Sequence, residues 1–154
     1  MNDDFKDLLV LFNTYNVEYL IVGGYAVVEY TEPRYTKDLD VWVQANSTNA
    51  ARVYRALKEF SAPVSQLSPE DFSHEGYFFQ MGREPHRVDI LMGITGITFS
   101  AAWKNRHEVK IDGVDVCFIG LQDLIIAKEA SGRPQDLLDV VNLRKAMESL
   151  EKQK

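Results

Sequence analysis

Residues 34–43 read Arg34-Tyr35-Thr36-Lys37-Asp38-Leu39-Asp40-Val41-Trp42-Val43. β-Branched and aromatic residues dominate its second half, so 39–43 is a predicted strand. Strand side chains alternate with a period of two, which puts Asp38, Asp40 and Trp42 on one face and Leu39, Val41 and Val43 on the other. Two carboxylates side by side repel each other unless a cation or a proton lies between them. Hard oxygen ligands grouped in this way suit Mg²⁺ or Mn²⁺. The bland alternative is structural: Asp38 ends the strand and Asp40 pairs with a basic neighbour.

Outward from this strand the chain alternates helices and strands. Phe5, Leu8, Leu9 and Phe12 recur at helical spacing, which predicts a helix over 3–14. An apolar strand over 18–22 runs into Gly23-Gly24, and 25–31 reads as a short helix. Glycine lets backbone amides approach a phosphate closely, and a helix N-terminus favours anions. The same pair of glycines also serves as a plain strand-to-helix turn. A helix is expected over 48–60 with Ser47 as its N-cap. The Ser- and Pro-containing stretch 61–75 reads as a loop with one helical turn started by Ser68. Strands follow near 76–81 and 86–91. In the second of these, Asp89 sits between Val88 and Ile90 and needs a partner if buried. Asp112-Gly113 joins 107–111 and 114–118 as a hairpin. Helices are expected over 121–131, ended by Gly132, and 134–150, opened by Pro134. This order predicts an α/β (α+β) domain, a mixed sheet flanked by helices, spanning 1–154 as one unit.

Bulk properties exclude several classes. The chain has 154 residues, 45% hydrophobic and 26% charged, which suits an ordinary globular domain. A net charge of −6 argues against coating nucleic acid by charge alone. The lone cysteine, Cys117, allows no internal disulfide. No signal peptide or apolar run of membrane-spanning length is seen, so a cytoplasmic location and no membrane partner are expected. His74, His86 and His107 lack zinc-ligand spacing.

Gly23-Gly24-Tyr25-Ala26, then Arg34-x-Thr36-x-Asp38-x-Asp40, then Val88-Asp89-Ile90, resembles the DNA polymerase β-type nucleotidyltransferase superfamily. The branch it resembles is that of the minimal nucleotidyltransferase-like proteins, which includes the AbiEii type toxins. Leu121-x-Asp123-Leu124-Ile125-x-Ala127-Lys128 and Gly132-Arg133-Pro134-x-Asp136-x-x-Asp139 resemble motifs near the end of that branch. The resemblance covers about residues 18–144 and implies a nucleotidyltransferase fold with C-terminal helices. It implies Asp38, Asp40 and Asp89 as metal ligands and catalytic residues, with Mg²⁺ or Mn²⁺ as cofactor and a nucleoside triphosphate as substrate. Gly23 and Gly24 would lie on the nucleotide. Many members carry serine where this chain has Gly24, so one phosphate-binding hydroxyl is missing. The implied acceptor is RNA, such as a tRNA 3′ end, in a toxin-like role with an antitoxin partner. Alternatives are a small hydroxylated molecule of the antibiotic type, a protein side chain, or a non-catalytic nucleotide-binding module. A homodimer could complete the site, and a purely structural role for the acidic cluster is the third class.

Basic residues offer a second side to such a site. Lys128 extends the apolar stripe of Leu121, Leu124 and Ile125, so it points inward. A buried lysine snorkels or pairs with a carboxylate, or it is aimed at the triphosphate. Arg133 either clamps a phosphate or pairs with Asp136 or Asp139, which suit the first turns of a helix. Arg34 and Thr36 either steady the loop before the Asp pair or touch phosphate. Lys37 reads as solvated. Trp42 is a core residue or a stacking surface for a base.

Overall fold

Helix α1 (Asp3–Thr14) forms because Phe5, Leu8, Leu9 and Phe12 make one stripe, and all four are fully buried. Asn2 caps it, its side chain accepting from Phe5 N at 2.9 Å. The computed structural model describes residues 1–153; Lys154, the last residue of the predicted domain, lies outside the described residues. After α1 come β1 (Tyr19–Val22), α2 (Gly23–Tyr30), β2 (Leu39–Val43) and α3 (Ser47–Glu59). A 3₁₀ turn (Pro69–Phe72) leads to β3 (Phe78–Met81), β4 (Val88–Leu91) and α4 (Phe99–Lys104). The hairpin β5 (His107–Ile111) and β6 (Val114–Phe118) precedes α5 (Leu121–Ser131) and α6 (Pro134–Lys152).

The six strands form one mixed sheet in the order β3-β4-β2-β1-β6-β5. β2 runs antiparallel to β1 but parallel to β4, and β1 runs parallel to β6. Strand alternation divides the sheet into two faces. One carries Ile21, Val41, Val43 and Ile90, the four of them fully buried or nearly so. It is covered by α1, through Phe12 against Tyr19, and by the 3₁₀ turn, through Phe72 against Phe79. Helix α3 packs between them, on α1 and on the turn. The other face carries Val22, Asp40, Trp42, Asp89 and Leu91, and α4 covers part of it through Phe99 edge-on to Trp42. Trp42 is 2% exposed, so it belongs to the core.

Most boundaries match the sequence reading within two residues, with two differences of substance. Asn46, not Ser47, caps α3: its side chain accepts from Asn49 N at 2.8 Å. Asparagine is as good a cap as serine, and it stands one position earlier. Helix α4 was not anticipated, because six residues are too few to show a helical period. Its one visible signal is Thr98, whose hydroxyl accepts from Ala101 N. Among the described residues, no helix is long and apolar enough to cross a membrane.

Asn49 ties α3 to the sheet. It is 1% exposed and bonds Glu18 N at 2.7 Å, Glu18 O at 3.0 Å and Gln44 O at 2.9 Å. Glu18 O keeps a second donor in Gln44 N, but Glu18 N and Gln44 O depend on Asn49. Asn49→Ala should therefore lower unfolding free energy by roughly 3 kcal/mol, the cost of two orphaned backbone groups, in urea denaturation. A loss below about 1 kcal/mol would show that water replaces the side chain.

Candidate functional site

The parallel pairing of β2 with β4 brings the carboxylates together. Leu39 N donates to Arg87 O at 3.0 Å, and this register sets Asp40 directly beside Asp89. Asp38 stands one pleat earlier, just outside β2. Asp89 is 9% exposed. Burial, and then the neighbouring Asp89, push the Asp40 carboxyl up to about 7. Burial also pushes Asp38 up, against the pull of Arg87.

Arg87 is the member of this group that the sequence reading missed. By the period of two it shares Asp89's face, and that is the signal that could have found it. Its Nη2 lies 2.7 Å from Asp38 Oδ2 and 3.4 Å from Asp89 Oδ2. Its Nε lies 3.4 Å from Asp89 Oδ1, too poorly aligned for a hydrogen bond. Among the described residues, three buried side-chain atoms are left without a partner: Asp38 Oδ1, Arg87 Nε and Asp89 Oδ1. No group of three metal-ligating side chains is preassembled among the described residues.

A second charged cluster lies on the helical side. Lys128 is 12% exposed and donates to Asp136 at 3.0 Å and Asp139 at 3.2 Å. Arg34 donates to Asp139 at 2.7 Å, and Arg133 Nε donates to Asp136 at 2.8 Å. The Ser131 hydroxyl donates to Asp136, and Gln135 donates to Asp139. Burial alone would raise Asp136, but the bonds from Ser131, Arg133 and Lys128 together outweigh it and bring the carboxyl to about 2. Asp139 is lowered too, burial being outweighed by Arg34 and Lys128. The salt-bridge alternatives for Lys128 and Arg133 thus describe the geometry, and Arg34 joins them. Lys37 instead pairs with Glu84, at 3.3 Å.

Asp40 from the first cluster and Lys128, Arg133 and Asp136 from the second line one cleft, together with Gly23 and Leu124. Lys128 makes no hydrogen bond to Asp40 and acts on it only as a nearby positive charge, opposing the upward push of burial and Asp89. Helix α2 opens at Gly23 with no side-chain cap on its first amides. Gly23 has φ +68°, and a Cβ there would collide with the Asp40 carboxylate, so only glycine fits. A Cβ on Gly24 would lie 2.8 Å from Thr36 Cγ2 and 3.6 Å from Thr36 Oγ1. The Thr36 side chain therefore fills the space that a serine at 24 would need, and brings a hydroxyl to the same neighbourhood.

Residues 3–148 match the model of the family described as "Nucleotidyltransferase of unknown function (DUF6036)", and the chain belongs to that family. No curated protein matches it in sequence. Among solved structures it resembles the lincosamide antibiotic adenylyltransferase LnuA in its lincomycin-bound form, with 17% identity, TM-score 0.60 and coverage of 95% of this chain and 98% of that one. A putative nucleotidyltransferase from Thermotoga maritima gives 14% identity, TM-score 0.59 and coverage of 94% and 91%. The antibiotic-resistance factor ANT(2'')-Ia gives 16% identity, TM-score 0.58 and coverage of 96% and 82%. At these identities the likeness is one of fold.

The depressed Asp136 makes an acid-stability prediction. Its ordinary value is 3.8, against about 2 in the fold. Its contribution is therefore present above about pH 4 and is lost as pH falls toward about 2. Wild type should lose on the order of 2 kcal/mol more than Asp136→Asn across that window, read from urea midpoints against pH. Parallel curves for the two proteins would remove the argument.

Proposed function

We propose that the chain transfers a nucleoside monophosphate from a nucleoside triphosphate to a hydroxyl acceptor, using divalent metal held by Asp38, Asp40 and Asp89. The observation that carries this reading is the register that sets Asp40 beside Asp89, with Asp40 lining the same cleft as Lys128 and Arg133. Two buried carboxylate oxygens, Asp38 Oδ1 and Asp89 Oδ1, lack partners, and such hard oxygen donors fit Mg²⁺ or Mn²⁺. When bound, the cation neutralises phosphate charge at the reacting centre.

The protein's own groups account for the remainder. The uncapped amides at the start of α2, beside Gly23 and Gly24, cradle phosphate oxygens. Thr36 supplies the hydroxyl that position 24 lacks. Asp89 accepts the proton of the acceptor hydroxyl as its oxygen attacks the α-phosphorus. The bond to pyrophosphate breaks, and Lys128, with the exposed Arg133, offsets the charge that leaves with it. Arg34 acts through Asp139, which holds Lys128 in place.

A small hydroxylated acceptor is the first choice. The likeness in fold to LnuA and ANT(2'')-Ia, over nearly the whole chain, supports it, and so does the net charge of −6, which disfavours a polyanionic acceptor. The second reading is the toxin-like one, with RNA such as tRNA as acceptor and an antitoxin as partner. What favours it is that its tail motif residues Lys128, Arg133, Asp136 and Asp139 form one connected network.

The test supplies each labelled triphosphate with Mg²⁺ or Mn²⁺ to three acceptor pools: aminoglycosides and lincosamides, total RNA, and protein. Label is expected in the small-molecule pool; label in RNA would move the assignment to the second reading. Asp40→Ala should reduce transfer by about 10²-fold or more while the fold survives. Turnover like wild type in that variant would sink the reading. Lys128→Ala should weaken turnover by a similar order through the leaving group, roughly 10²-fold.

A further inference from the structure

Arg87 lies among the carboxylates assigned above to the metal. Its Nη2 reaches Asp38 and Asp89 together. Asp38, Asp40 and Asp89 would repel one another strongly in the absence of any cation. A planar guanidinium can lie across two carboxylates, which a point-like ammonium does less well.

The contact is nevertheless incomplete. Only the ion pair with Asp38 is short; the hydrogen bond to Asp89 Oδ2 is long, at 3.4 Å. Arg87 Nε, Asp38 Oδ1 and Asp89 Oδ1 remain unpartnered in the interior. Buried polar atoms left in that state are costly, so the arrangement is shallow compared with the fully bonded cluster around Asp136. The Arg87 side chain is also 34% exposed, which leaves it a way out to water. Its backbone is pinned by the bond from Leu39 N, so only the side chain has to move.

We propose that Arg87 is an exchangeable internal counter-ion: it bridges Asp38 and Asp89 in the metal-free protein and swings out when a divalent cation enters. It is a positioning residue, acting through the carboxylates. The inference rests on the metal-dependent reading above and goes beyond it by naming the group that metal displaces. It also gives the metal-free cluster a means of staying folded.

Mn²⁺ binding to the full chain without nucleotide, followed by the electron paramagnetic resonance of free Mn²⁺, tests this directly. Arg87→Gln should bind Mn²⁺ about tenfold tighter than wild type, since a competing positive charge has gone. Arg87→Lys, which keeps the charge, should stay near wild type. Arg87→Gln should also melt lower than wild type in EDTA and gain more on adding Mn²⁺. If wild type binds Mn²⁺ and Arg87→Gln binds it no tighter, Arg87 is a fixed strut and the inference fails alone. If neither binds, the metal-dependent reading fails and takes the inference with it. A measurement on wild type covers a variant that does not fold. The Arg87 Nε–Hε resonance should shift as Mg²⁺ is titrated, and a resonance that does not move overturns the proposal.

Discussion

Carboxylates placed shoulder to shoulder on neighbouring strands repel, and the repulsion grows as water is withdrawn from them. In this protein the parallel register of β2 and β4 enforces that arrangement at Asp40 and Asp89. Every other notable feature nearby answers it. Gly23 gives up a side chain to make room for the Asp40 carboxylate. The Asp40 carboxyl is pushed up to about 7, by burial first and by Asp89 next. Arg87 leans across from its own strand to reach Asp38 and Asp89. The crossover that carries α3 and the 3₁₀ turn makes the parallel pairing possible, since parallel neighbours cannot be joined by a tight turn.

The two charged clusters differ in completeness. Around Asp136 and Asp139 five side chains donate hydrogen bonds, and both carboxylates are held below their ordinary range. Such a network fixes the Lys128 ammonium in one position. Around Asp38 and Asp89 three buried atoms lack partners. A protein that had finished both clusters equally well would have a rigid site with nowhere for a ligand's charge to go.

The legible parts were those written in local periodicity. The alternation at 38–43 put two aspartates on a common face before any sheet was known, and the stripe from Leu121 turned Lys128 inward. The hairpin at Asp112-Gly113 follows from two residues with positive φ, at 51° and 81°. What was not legible depends on contacts distant in sequence. Nothing in Arg87 itself says that β4 will lie beside β2, and only that neighbourhood gives the guanidinium two carboxylates. The absence of serine at position 24 looked like a deficit; its reason is the Thr36 side chain, which returns from the loop to fill the gap. Helix α4 was too short for its period to register.

Asp139 accepts from Arg34, 105 positions earlier, and from Lys128 on the preceding helix. One carboxylate on α6 therefore secures two cations that arise at quite different moments of synthesis. The acidic row is set by the pairing of β2 with β4, whereas the ammonium and the guanidinium are anchored by α6. The docking of α6 is thus what orders Arg34 and Lys128 relative to each other.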